Sequence, residues 1–265
     1  MKLLDWISLE RLDWQELSAN PSDGAVDLLL ANPYNIYFSE SAENTNDRMV
    51  KRLLNFNDPE RIDRWRFAEN PNDLAVDYTL SNVIHDFYFL CENSNDRMVD
   101  FVFANIDKID LECKINLECF SMNSNDRAVD YLLKFPELIN WEYLSMNSND
   151  RAVKLLLENP DKINYDLFSR NPNDRALDYL LANQKFIDWD LFSLNPNKRV
   201  IEVLNQHQER IHWSNLSRNP EIFEYDYLSA AKERNAKILQ ELMEKTWHPS
   251  RMAQWCLEYN DPYQQ

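Results

Sequence analysis

The sequence predicts an all-α protein, an α-solenoid of about nine 24-residue repeats, each a short 3₁₀-like helix plus a ten-residue α-helix, with a C-terminal helical cap. Three observations carry that reading. The phrase Asn-(Pro/Ser/Thr)-Asn-Asp-Arg-Ala/Met-Val recurs from Asn20, Asn44, Asn70, Asn93, Asn123, Asn147, Asn171 and Asn195, with a worn ninth copy at Asn219-Pro220. From Asn123 to Asn219 the spacing is 24 residues without error. The 265 residues include a single glycine, Gly24, so neither a dinucleotide-binding turn nor a phosphate loop can be built.

Residues 1–19 hold two Asp-Trp pairs, Asp5-Trp6 and Asp13-Trp14, and read as a starting half-repeat. Residues 20–228 form the repeat body. The unit from Ile163 to Gln184 shows its construction. Ile163 to Ser169 carries apolar residues three or four apart and predicts one tight helical turn. Asn171 is expected to cap the next helix, with Pro172 at its first position and Asp174 completing a capping box. Ala176, Leu177, Leu180 and Leu181 make the apolar stripe. Asn183 is expected to end the helix in the left-handed conformation. A proline follows the equivalent residue at Asn32-Pro33 and Asn159-Pro160.

The residue six before the first Asn is aromatic or large and apolar in eight of the nine copies (Trp14, Phe38, Phe87, Leu117, Trp141, Tyr165, Trp189, Trp213), which predicts a core anchor between repeats. Helical spacing puts Arg48, Arg97, Arg127, Arg151, Arg175 and Arg199 in an exposed row opposite the stripe. Asp27, Asp77, Asp100, Asp130, Asp178 and Glu202 form a parallel acidic row, interrupted by Lys51 and Lys154. Each Arg is expected to pair with the acid three residues later on its own helix. One position varies from unit to unit (Leu28, Arg52, Tyr78, Phe101, Tyr131, Leu155, Tyr179, Val203) and is therefore free to encode specificity.

The period slips in three places, and the extra residues predict bulges at 55–61 and 106–119. The second contains a small duplication around Cys113 and Cys119. From 229 the period is lost. Ala230 to Lys245 and Pro249 to Tyr259 read as helices, so 229–265 is expected to cap the last repeat. Nine units at about 8–10 Å each predict a body roughly 80 Å long.

The net charge of −17 disfavours binding to phosphate backbones and favours a basic protein partner. The four cysteines (Cys91, Cys113, Cys119, Cys256) show no disulfide or zinc spacing and read as reduced structural residues. The four histidines (His85, His207, His212, His248) have no repeated nucleophile or acid partner. No cofactor, metal or catalytic set is therefore expected. The N-terminus does not read as a signal peptide, and no apolar run is long enough for a membrane span. The expected setting is intracellular, in the cytoplasm.

The period, the alternation of short and long helices and the phrase Leu-Ser-x-Asn-Pro-Asn resemble leucine-rich repeat variants, which implies a right-handed superhelix. The stretch Ile187-Asp-Trp-Asp-Leu-Phe-Ser-Leu-Asn-Pro-Asn197 is more closely similar to the Asn-Pro/Ile-Asp-Trp repeat proteins encoded by giant DNA viruses. The segment Leu242-Met-Glu244 with His248-Pro-Ser-Arg-Met252 resembles the C-terminal segment of those proteins. The resemblance spans roughly residues 10–255 and implies a viral protein acting in the host cytoplasm or the virion. The leading functional expectation is a protein–protein interaction scaffold. Its candidate surface is the six arginines of the row with Tyr78, Phe101, Tyr131 and Tyr179. A virion or assembly component is the alternative, and a helical-repeat RNA binder the third reading.

Overall fold

The computed structural model of the chain describes residues 1–55, 62–82, 87–106, 117–246 and 248–258. The chain is all-α, with 18 α-helices and two strands of two residues each among the described residues. In chain order these are β1 (Lys2–Leu3), α1 (Trp14–Ser18), α2 (Asp23–Ala31), α3 (Phe38–Ser41), α4 (Asp47–Leu54), α5 (Arg64–Glu69), α6 (Asp73–Ser81), α7 (Phe87–Glu92) and α8 (Asp96–Asn105). There follow α9 (Asp126–Lys134), α10 (Trp141–Leu144), α11 (Asp150–Glu158), α12 (Tyr165–Ser169), α13 (Asp174–Ala182), α14 (Trp189–Phe192) and α15 (Lys198–Gln206). Then come α16 (Trp213–Arg218), β2 (Phe223–Glu224), α17 (Tyr227–Thr246) and α18 (Pro249–Glu258), with β1 and β2 paired in a two-stranded sheet. The chain divides into two units, Leu3–Glu224 and the segments Met1–Lys2 with Tyr225–Gln265. Residues 56–61 and 107–116, where the sequence predicts bulges, lie outside the described residues, as do His85 and Cys113.

In the first unit a short helix alternates with a longer one of eight to ten residues. The short element is 3₁₀ at 117–121, as expected, but α-helical rather than 3₁₀ in the other units. The 3₁₀ geometry appears in a separate turn after the long helix, as at Pro33–Asn35, Pro136–Leu138 and Pro160–Lys162. Proline suits the first position of that turn, where no N–H is missed. Asn183 is not left-handed: its φ of −131° is ordinary, and its amide donates back to the Tyr179 carbonyl at 2.9 Å. The side chain supplies the helix ending that a left-handed residue would otherwise provide.

The cap also differs from expectation. Asn173, not Asn171, caps α13: its side chain accepts from the Arg175 N–H at 2.9 Å. Asp174 is then the first helical residue, where its charge favours the positive helix end. The second Asn of the motif plays the same role at Asn46, Asn72, Asn95, Asn125, Asn149 and Asn197.

The first Asn is buried and links neighbouring repeats. Asn171 donates through Nδ2 to the carbonyls of Asn147 (2.8 Å) and Ser145 (3.0 Å), and its Oδ1 accepts from the Asn173 N–H at 3.0 Å. Both donors and the acceptor are thus satisfied without water, as a fully buried amide requires. The same bonds step from Asn44 to Asn20, Asn70 to Asn44, Asn93 to Asn70, Asn123 to Asn93, Asn147 to Asn123, Asn195 to Asn171 and Asn219 to Asn195. The ladder does not stop at its ends. Asn20 donates to Asn219 at 2.8 Å and to Ser217 at 2.9 Å, so the nine asparagines form a closed circuit.

A second set of bonds runs beside it. Ser169 Oγ donates to the Tyr165 carbonyl and accepts from the Asp188 N–H of the next unit. Ser217 repeats this with Trp213 and, at 2.8 Å, with the N–H of Asp13. Trp6 meets Trp213 edge-on at 6.3 Å between ring centres, and the Leu4 N–H donates to the Ile222 carbonyl at 3.0 Å. The open body of roughly 80 Å expected from stacking is therefore corrected. The first repeat occupies the edge of the last. Helix α17 exposes Leu239 and Met243.

The core is built from the long-helix stripe and from the residue three before each ladder Asn. Ala176, Leu177 and Leu180 are fully buried, as are Phe168, Phe192, Phe120 and Phe67. The expected anchors one turn earlier divide: Leu117 is buried in the core, whereas Trp14, Trp141, Tyr165, Trp189 and Trp213 are half-buried and flank it. The residue three later fills it: Phe168 after Tyr165, Phe192 after Trp189, and Leu17, Leu144 and Leu216 after Trp14, Trp141 and Trp213.

Candidate functional site

The arginine row is present and exposed, with side chains about half accessible at Arg48, Arg97, Arg127, Arg151 and Arg199. The pairing differs from the expected one. Each guanidinium reaches the acid of the preceding unit, not the one on its own helix: Arg48–Asp27 at 2.7 Å, Arg97–Asp77 at 2.6 Å and Arg199–Asp178 at 2.8 Å, with Arg127–Asp100 and Arg151–Asp130 alike. Asp130 and Asp178 accordingly raise Arg151 and Arg199 above the usual arginine value. Lys154 stands at the corresponding place in the unit before Arg175, and Arg175 makes no ion pair among the described residues. A third row lies alongside. The first-turn acids Asp23, Asp47, Asp73, Asp96, Asp126, Asp150 and Asp174 each accept from the capping Asn of the next unit. That hydrogen bond, together with Lys51, holds Asp47 below its ordinary value. The result is an exposed lattice with about two carboxylates to each guanidinium, acidic in sum.

The four aromatic candidates divide. Phe101 is exposed. Tyr78 is half-buried edge-on against Phe67, and Tyr131 lies among Phe103, Phe120 and Phe135. Tyr179 stacks beside Tyr165, with the two hydroxyls 3.2 Å apart, and Tyr165 is pushed up to about 12 by burial and this bond. These three tyrosines pack the core flank and leave little ring surface for a partner.

A second surface was missed in the sequence. The residue before each ladder Asn varies while its neighbours repeat, and that contrast was the signal. It is Glu43, Glu69 and Glu92 in three units, Met122 and Met146 in two, and Arg170 and Arg218 in others. Arg218 of the ninth unit pairs with Glu16 of the first at 3.4 Å and with Glu43 of the second, which also holds Arg66 of the third. This chain of charges crosses the point of closure. Glu69 lies half-buried near Glu92. Burial first, then that like charge, pushes its carboxyl up to about 7. Burial lowers Arg170 below the usual arginine value.

Cys91 and Cys119 are buried thiols outside any disulfide, and burial followed by the mutual hydrogen bond pushes Cys119 far above the ordinary thiol range. Cysteine in that state is an inert packing residue. No group of three or more His, Cys, Asp or Glu fit to hold a metal occurs among the described residues, and no helix among them is long and apolar enough to cross a membrane. No protein-family model, curated protein or solved structure matches the chain.

Proposed function

We propose that the chain is a non-enzymatic protein-binding scaffold, an α-solenoid of about nine units closed on itself, that presents an acidic lattice to a basic partner. One observation carries this reading: the exposed rows hold their charges at fixed positions through bonds between units. A rigid periodic array of carboxylates matches a partner segment rich in Lys and Arg, and such association weakens with salt. The same array disfavours the RNA reading, because every paired guanidinium already faces an Asp and the surplus carboxylates repel phosphates.

The test is fluorescence anisotropy with a set of Lys/Arg-rich peptides and with single-stranded RNA, at low and moderate salt. Saturable peptide binding that weakens with salt, and weakens again when Asp77, Asp100 and Asp130 are changed together to Asn, supports the scaffold. Binding to RNA but to none of the basic peptides overturns it.

A further inference from the structure

In this acidic molecule one groove is basic. It is shallow and open to solvent, with a volume of about 570 Å³, and is lined by Leu30, Arg48, Lys51, Arg52 and Asn55, between α2 and α4. Its chemistry comes from two departures from the repeat. Lys51 stands in the acidic row, where the neighbouring units have Asp27 and Asp77. Arg52 stands where those units have Leu28 and Tyr78, and where every other unit has Leu, Val, Phe or Tyr.

The second departure is costly. In the other units except at Phe101, the apolar or aromatic side chain there packs on the core flank; Arg52 instead places a guanidinium at this half-buried site. Its Nε is buried with no hydrogen-bond partner, and it makes no ion pair among the described residues. An unpaired buried N–H, on a group that keeps its charge, is a standing cost that an anion can relieve. Its neighbours are only partly neutralised: Arg48 pairs with Asp27 at 2.7 Å, and Lys51 lies 3.6 Å from Asp47. Three cations therefore meet two carboxylates, and the surplus positive charge belongs to Arg52.

We propose that this groove binds a phosphate monoester or free phosphate, with Arg52 as its main ligand. Two phosphate oxygens match the guanidinium fork, after a small turn of the side chain that hands its Nε to the anion. Lys51 and Arg48 complete the charge, and Leu30 offers apolar contact to whatever carries the phosphate. The groove opens to solvent, which leaves room for the group that carries the phosphate.

The test is isothermal titration of the full chain with inorganic phosphate, with phosphoserine and with acetate, at constant ionic strength. The first two distinguish the free ion from the ester, and acetate reports charge alone. The decisive variant is Arg52→Leu, which restores the residue type of the other units, so the protein is expected to fold; a thermal melt checks that. Saturable binding of phosphate or phosphoserine, weakened about tenfold or more in Arg52→Leu and also weakened in Lys51→Asp, is the expected result. Absence of saturable binding up to roughly 10 mM ligand overturns the proposal. So does equal binding by Arg52→Leu, or acetate binding as tightly as phosphate. These outcomes are independent of whether basic peptides bind the acidic lattice.

Discussion

Asn20 donates its side-chain amide to the carbonyl of Asn219 at 2.8 Å, and in doing so makes the first and last copies of the motif neighbours. In an open stack the first ladder amide has no preceding carbonyls to bond. Here it has two acceptors, at 2.9 and 2.8 Å, equivalent to those of Asn171 in the middle of the chain, at 3.0 and 2.8 Å.

Asn20→Ala and Asn171→Ala are therefore expected to destabilise equally. Each leaves two buried carbonyls and one N–H unpaired, a loss of about 3 kcal/mol or more. Urea denaturation of both variants checks this. A nearly silent Asn20→Ala beside a costly Asn171→Ala would mean that the circuit is open in solution.

Asn173→Ala is the comparison within one motif. Asn173 caps α13 and bonds Asp150 and Ser148 from a half-exposed position, where water can replace the lost partners. A loss of about 1–2 kcal/mol is expected, smaller than that of Asn171→Ala. The reverse order in denaturation midpoints would return the capping role to Asn171.

Glu69 makes stability depend on pH. Its folded value of about 7 lies above the ordinary 4.5, so the folded state holds a proton that the unfolded state has released. The native state is then favoured at low pH and loses that advantage as pH rises from about 4.5 through about 7. Glu69→Gln keeps the shape without the charge. It is expected to match the wild type at pH 4 and to be more stable at pH 8, in melts recorded across that range. A constant difference between the two proteins at all pH values would show that Glu69 does not titrate in this window.

Arg218→Ala tests the charges across the closure. It strands Glu16 and leaves Glu43 with Arg66 alone. A loss of about 1–3 kcal/mol, reduced in high salt, is expected from denaturation curves with and without added sodium chloride. A loss untouched by salt would assign the effect to packing of the Arg218 stem.

Much of the fold is legible in residue order. The stripe at Ala176, Leu177 and Leu180 and the exposure of Arg175 follow from local spacing. The roles of the two motif asparagines do not. Both are short amides two residues apart, and either can accept from a helix N-terminus. Burial decided between them: Asn171 is fully buried, and its donors need carbonyls that only the preceding unit supplies. The ion pairs went the same way, since Asp178 is near Arg175 in sequence but bonds Arg199 of the next unit.

By itself, then, the sequence determined the unit: its helices, its buried face, its charged face and the number of copies of its motif. Only the tertiary structure decided that the last copy meets the first. A period states that each unit sits on its neighbour in the same way, but closure depends on the small turn per unit summed around the whole circuit. That sum is set by how side chains such as Phe168, Ser169 and Asn171 pack and bond between units, and no single repeat contains it.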